Sequence, residues 1–237
     1  MSKSVSMNTS RSRSMSTSSR SVSQLSTCKL PSSCSYYGSG ANGIYKVCSI
    51  NGRSVGVKFL KKPLKKTTIN AITTLTNILK EHAHKHLARY FVLPLDLDLD
   101  VSNRACTLDG KKIWFYTQKH IDGETLQSLV DRLKAHRTMR TTQATAELKL
   151  IHTQIVEVIS FLQSNNLYHN DLKSDNIIVT HNPVQIHVID WDLLDARFKN
   201  ATDQCNELVF YPYKCAGKLL GLPEDEWQIG RKKNSLK

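Results

Sequence analysis

The stretch from Leu167 to Asp192 constrains this chain more than any other. It reads LYHNDLKSDNIIVTHNPVQIHVIDWD and follows an amphipathic segment, 146–166. A polar loop leads into two short apolar strands, 176–180 and 185–190, around Asn182-Pro183. Within it stands His169-x-Asp171-x-Lys173-x-x-Asn176, and Asp190 follows Asn176 by 14 residues. These residue types suit the handling of a phosphoryl group. One carboxylate can orient an acceptor hydroxyl and take its proton. A cation offsets charge near the transferred phosphate, and an amide oxygen with a second carboxylate can hold Mg²⁺. Asp171, Lys173, Asn176 and Asp190 supply those parts in chain order. A chance loop with two surface acids would not bring all four residue types at both spacings.

The segment resembles the catalytic loop and metal-binding turn of eukaryotic-type protein kinases, and the wording LKSDN is closest to the serine/threonine members. The likeness extends upstream. Gly38-Ser39-Gly40-Ala41-Asn42-Gly43 has the pattern G-x-G-x-x-G. It lies between two strand-like segments rather than at a helix start, which suits a glycine-rich loop over the phosphates of ATP and argues against a Rossmann turn. Tyr45 stands where the family usually has Val. Fifteen residues past Gly43, Lys58 ends Val-Gly-Val-Lys, similar to V-A-I-K. The resemblance implies that Lys58 and the 38–43 loop hold the phosphates, that Asp171 acts as base and Lys173 steadies the transferred group, and that Asn176 and Asp190 hold Mg²⁺. Residues 117–120 would form the hinge beside adenine. Lys61, Lys62, Lys65 and Lys66 are read as solvated charges. Downstream, Asp225-x-Trp227-x-x-Gly230 resembles D-x-W-S-x-G, which puts Tyr211-Pro212-Tyr213 in the place of A-P-E. The likeness covers about Tyr36 to Gly230.

The implied architecture is α+β, with a β-rich small lobe and hinge over 36–120 and a shortened helical lobe over 121–237. Residues 44–50 and 54–60 are read as strands joined at Asn51-Gly52, a strong type I′ hairpin signal. Residues 67–80 place Ile69, Ile72, Leu75, Ile78 and Leu79 at helical spacing. Two more strands are expected over 90–99 and 111–120, and helices over 123–134 and 146–166. After Asp190 a loop is expected until a helix start near Glu224.

Charge is unevenly spread. The net charge is +13, yet no acid precedes Glu81, so the whole excess lies in the first 80 residues. Residues 1–35 hold 15 Ser and little that could form a core, which marks them as a disordered tail. That tail is read as a solvated segment and a candidate autophosphorylation substrate rather than a nucleic-acid site. No apolar run nears the roughly 18 residues that span a bilayer, so no membrane is expected as a partner, and basic charge alone is too weak a sign for a specific nucleic acid to be expected. Six cysteines show no CxxC pair. They are read as reduced thiols of a cytoplasmic or nuclear protein. His82, His84 and His86 are read as a solvated helix end, and Asp96, Asp98 and Asp100 as a solvated strand end rather than a Ca²⁺ loop.

Four departures from the family pattern matter. Asn170 replaces the Arg that pairs with a phosphorylated activation loop, so no dependence on such phosphorylation is expected. D-F-G becomes Asp190-Trp191-Asp192, which removes a flexible position and is shared in part with small-molecule phosphotransferases. The helix over 67–80 has no acid to pair with Lys58, and only Glu81 is near, at its end. Without that pair Lys58 would be poorly held and activity low. The chain ends seven residues after Gly230, which implies a shortened lower lobe and a host protein covering its exposed apolar surface. The reading is an ATP- and Mg²⁺-dependent serine/threonine protein kinase acting on a protein substrate, similar in form to kinases of large DNA viruses. The alternatives are a kinase-like decoy and a small-molecule phosphotransferase.

Overall fold

The structure is a computed structural model, and it describes residues 34–40, 43–50, 52–95, 105–108, 111–139, 141–198 and 212–222. The chain opens with β1 (Cys34–Gly40), β2 (Gly43–Ile50) and β3 (Arg53–Leu60), an antiparallel meander. Gly52, at φ +74, takes the positive backbone angle that the hairpin between β2 and β3 demands. Helix α1 (Lys66–Lys80) follows. It has neither an acid in its first turn nor a side-chain cap, so packing of Ile69, Ile72, Leu75 and Leu79 must hold it in place. Strands β4 (Ala105–Leu108) and β5 (Lys111–Lys119) complete a five-stranded sheet in the order β1-β2-β3-β5-β4. Cys48, Val57 and Phe59 form its small buried cluster.

The second half is helical around a small sheet. β6 (Glu124–Thr125) leads into α2 (Leu126–Ala135), whose first turn is capped where Thr125 Oγ1 accepts from the Ser128 N–H at 3.1 Å. Thr141 caps α3 (Thr142–Ser164) in the same way, accepting from the Ala144 N–H at 3.2 Å. β7 (Ile177–His181) and β8 (Val184–Val188) pair antiparallel beside β6. α4 (Pro212–Leu219) packs on α3 and ends at Gly221, whose φ of +62 suits the residue just past a helix. One large core joins α1, α2, α3, β7, β8 and α4. Segment 91–95 ties the two halves together. Its Val92 N–H donates to Val188 O at 3.0 Å, and its Leu95 N–H donates to Thr117 O at 2.8 Å.

Several expectations need correction. Residues 90–95 are not a strand: a 3-10 turn over Ala88–Tyr90 gives way to single bridges, Phe91 to Val188 and Pro94 to Gln118. Pro94 has no N–H for a ladder. The strand expected there is supplied by β4 instead, and Asp96, Asp98 and Asp100 lie outside the described residues. The stretch after Asp190 is not all loop, since α4 begins at Pro212; the helix expected near Glu224 and the Asp225 to Gly230 element lie outside the described residues. The reading of six reduced thiols also fails. Cys34 and Cys48 are directly opposed on β1 and β2, with Cα atoms 4.0 Å apart, and are joined by a disulfide. Their separation of 14 residues is that of a hairpin, not of a CxxC pair. No helix among the described residues is long and apolar enough to cross a membrane.

Candidate active site

A cleft of about 470 Å³ opens between the five-stranded sheet and the β6-β7-β8 sheet. Gly38 and Lys58 line it from above; Asp171, Lys173, Asn176 and Asp190 line it from below. The turn before β7 gathers the lower set. Asn176 Nδ2 donates to the Asp171 carbonyl at 2.7 Å and to its carboxylate at 3.0 Å. Lys173 Nζ lies 3.2 Å from the same carboxylate. Asp171 is thus held by an amide on one side and a cation on the other.

The residues around Asp171 bind it to the strand that carries Asp190. His169 is buried, and its Nε2–H donates to Ile189 O at 2.9 Å while its Nδ1 accepts the Asp171 N–H at 3.3 Å. This network assigns the neutral tautomer with the proton on Nε2. Burial holds the imidazole pKa below its ordinary value. Asn170, at φ +60, turns its amide inward, where Nδ2 donates to the carbonyls of Tyr168, Leu193 and Arg197 at 3.1–3.2 Å.

Asp190 itself has φ +63, a left-handed conformation that costs a non-glycine residue energy and is tolerated at functional turns. The next residue, Trp191, is buried, stacks on Phe91 at 5.4 Å and donates its indole N–H to Val188 O at 3.1 Å. That anchors the turn from within. Lys58 Nζ sits 2.5 Å from Asp190 Oδ1 and 2.5 Å from Asp192 Oδ2. The Tyr116 hydroxyl donates to the other Asp192 oxygen at 2.8 Å. Burial alone would lower the Lys58 pKa, but the charges of Asp192 and Asp190 outweigh it and hold the ammonium above its ordinary value. Burial also opposes charge on Asp190, but Lys58 wins and keeps that carboxyl low. On Asp192, burial and the charge of Asp190 together prevail over Lys58 and raise it.

A description of the protein kinase domain matches residues 34–213 of this chain. The chain belongs to the protein kinase family. It is 27% identical over 205 residues to CDPK-related kinase 3 of Arabidopsis thaliana, covering 82% of this chain and 31% of the relative. It is 26% identical over 122 residues to a "Putative serine/threonine-protein kinase" of Mycoplasma pneumoniae, covering 50% of this chain and 29% of the relative. It is 43% identical over 42 residues to a putative serine/threonine-protein kinase of Acanthamoeba polyphaga mimivirus, covering 18% of this chain and 14% of the relative. The chain spans less than a third of the length of these relatives.

In this protein kinase domain the glycines of the first hairpin do different jobs. A Cβ on Gly43 would stand 1.9 Å from the carbonyl oxygen of Phe59, so Gly43 lets β2 and β3 approach. Gly38 lines the cleft, and a Cβ there would meet no protein atom within 4 Å. Ser39 also lines the cleft, and Gly40 pairs with Gly43. Ala41 and Asn42 lie outside the described residues. Tyr45 lines the cleft, its hydroxyl 3.4 Å from His120 Nδ1. The room for that hydroxyl comes from Gly56: a Cβ there would lie 1.9 Å from it. Gln118 and Lys119 of the expected hinge also line the cleft.

Sequence reasoning missed Tyr116, the placement of Asp192 against Lys58, and the cross-links made by His169 and Asn170. The acid-free helix was the one available signal, because it required a partner for Lys58 from elsewhere. Glu81 is not that partner; it is the exposed C-cap residue of α1.

Proposed function

We propose that this chain transfers the γ-phosphate of ATP to serine or threonine hydroxyls of protein substrates. The observation that carries this reading is the convergence of Asp171, Lys173, Asn176, Asp190 and Lys58 on one cleft beneath the hairpin that bears Gly38. Asp171 orients the acceptor hydroxyl and accepts its proton as the new O–P bond forms. The bond to the β-phosphate oxygen breaks, and its electron pair leaves with ADP. Lys173, paired with Asp171, lies where charge on the transferred group develops. Lys58 reaches the α- and β-phosphates from β3, and the absent Cβ of Gly38 leaves space for them. Asn176 and Asp190 present oxygen donors, the hard ligands that Mg²⁺ prefers. Bound Mg²⁺ would supply charge neutralisation at the phosphates. The LKSDN wording and the names of two of the relatives, both called serine/threonine-protein kinases, support serine/threonine acceptors.

Transfer of labelled phosphate from Mg²⁺-ATP to a serine-containing peptide tests the proposal, with Asp171→Ala as control. Equal incorporation by wild type and variant would sink it. Thermal stabilisation by Mg²⁺-ATP without any transfer would instead identify a kinase-like binding module.

A further inference from the structure

Lys58 has lost the partner that a kinase helix normally provides, yet it is among the most tightly held side chains of the cleft. The whole of α1 contains no acid, and Glu81 at its end faces solvent. In the place of a helix glutamate, Lys58 has Asp192, three residues beyond Ile189 on the turn that carries Asp190. The two carboxylates it touches are not equivalent. The Asp190 side chain is 28% exposed and faces the cleft, whereas that of Asp192 is 6% exposed. Both oxygens of Asp192 are used, one by Lys58 and one by the Tyr116 hydroxyl. Tyr116 is itself buried and stands directly opposite Lys58 in the β3–β5 register. Lys58 and its tyrosine neighbour therefore converge on Asp192 and occupy both its oxygens, while Asp190 pairs with Lys58 through Oδ1 and still lines the cleft.

We infer that Asp192 is the positioning residue for Lys58, in the role of the missing helix glutamate, with Tyr116 orienting it. The catalytic consequence rests on the kinase reading above. In this arrangement the anchor and the metal-binding aspartate lie on one short turn, with Trp191 buried between them. Placing Lys58 then requires no inward movement of α1, so the cleft is assembled without the helix switch on which the ordinary ion pair depends.

Asp192→Asn is nearly isosteric and keeps an acceptor for Tyr116, so it is expected to fold with an unchanged melting temperature. Its kcat/KM for Mg²⁺-ATP is expected to fall about 100-fold, the scale of a misplaced catalytic group. Asp192→Gly, the usual family residue, is expected to lose as much, and Asp192→Glu to recover a large part. Tyr116→Phe is expected to cost about tenfold, the lower end of the worth of a hydrogen bond to a charged group. A readout independent of turnover is trace acetylation of Lys58 by acetic anhydride, followed by peptide mass spectrometry. Removing the buried carboxylate that covers the ammonium is expected to speed this clearly in Asp192→Asn. Wild-type turnover and wild-type Lys58 acetylation in Asp192→Asn would overturn the inference. So would repair of the variant by raised Mg²⁺, which would make Asp192 a metal ligand. A wild type that transfers no phosphate, with Lys58 still unmasked by Asp192→Asn, would overturn the kinase reading while upholding the anchor.

Discussion

The Nε2–H of His169 donates to the carbonyl oxygen of Ile189 at 2.9 Å, one residue before Asp190. Its other ring nitrogen accepts from the backbone of Asp171. One neutral imidazole therefore joins the backbone at Asp171 to the backbone just before Asp190. Burial lowers its pKa in the folded state, so the fold favours the neutral ring. Its contribution to stability is present in full above about pH 6.5 and is lost as pH falls through the lowered folded value. The melting temperature is expected to drop between pH 7 and pH 5. His169→Gln should flatten that drop only in part, because burial lowers His187 in the same direction. An equal slope in wild type and variant would remove His169 from this account.

Asn170 replaces a cation with an amide that spans three carbonyls. Asn170→Gly keeps the positive φ and deletes those bonds, and is expected to cost about 1–3 kcal/mol in urea unfolding. Asn170→Ala should cost about 1 kcal/mol more, because alanine resists the left-handed region. An amide offers no charge to a phosphate, so phosphatase treatment is expected to leave transfer activity unchanged. A large loss on dephosphorylation would contradict this.

Gly38, within β1, and Gly43, at the start of β2, should separate binding from stability. Gly43→Ala presses a methyl group on the Phe59 carbonyl and is expected to destabilise the fold by about 2–3 kcal/mol. Gly38→Ala meets no protein atom and should leave stability within about 0.5 kcal/mol. It should still weaken Mg²⁺-ATP in a calorimetric titration. Unimpaired nucleotide binding by Gly38→Ala would mean that the phosphates do not lie beneath this strand.

Tyr45 and Gly56 form a large-and-small pair. Gly56→Ala forces the Tyr45 ring to move and is expected to weaken nucleotide binding. Adding Tyr45→Val should restore it, with a coupling of about 1–2 kcal/mol between the sites, within the range for touching residues. Additive effects would show that the ring and the glycine act independently.

Much of the site could be read from the sequence because its parts are local. Asp171, Lys173 and Asn176 fall within six residues, and one turn brings them together. The hairpin at Asn51-Gly52 and the helix over 66–80 were legible for the same reason: turn chemistry and apolar periodicity act over short spans. The pairing of Lys58 with Asp192 spans 134 residues, and no local pattern marks it. The alternating Leu and Asp after Tyr90 imitate a strand, yet Pro94 and the bridges to Val188 and Gln118 prevent one from forming over 90–95. The Cys34–Cys48 bond was hidden because β1 begins at Cys34, inside the stretch expected to be a disordered tail.

Segment 91–95 has a mechanical consequence. It is hydrogen-bonded to Val188, just ahead of Asp190, and to Thr117, at the start of the hinge. The covalent crossing at 117–121 and this strip thus lie side by side along the back of the cleft. The two halves are therefore joined twice over, once by the chain itself and once by hydrogen bonds, so any rotation of one half against the other would have to turn about both connections at once.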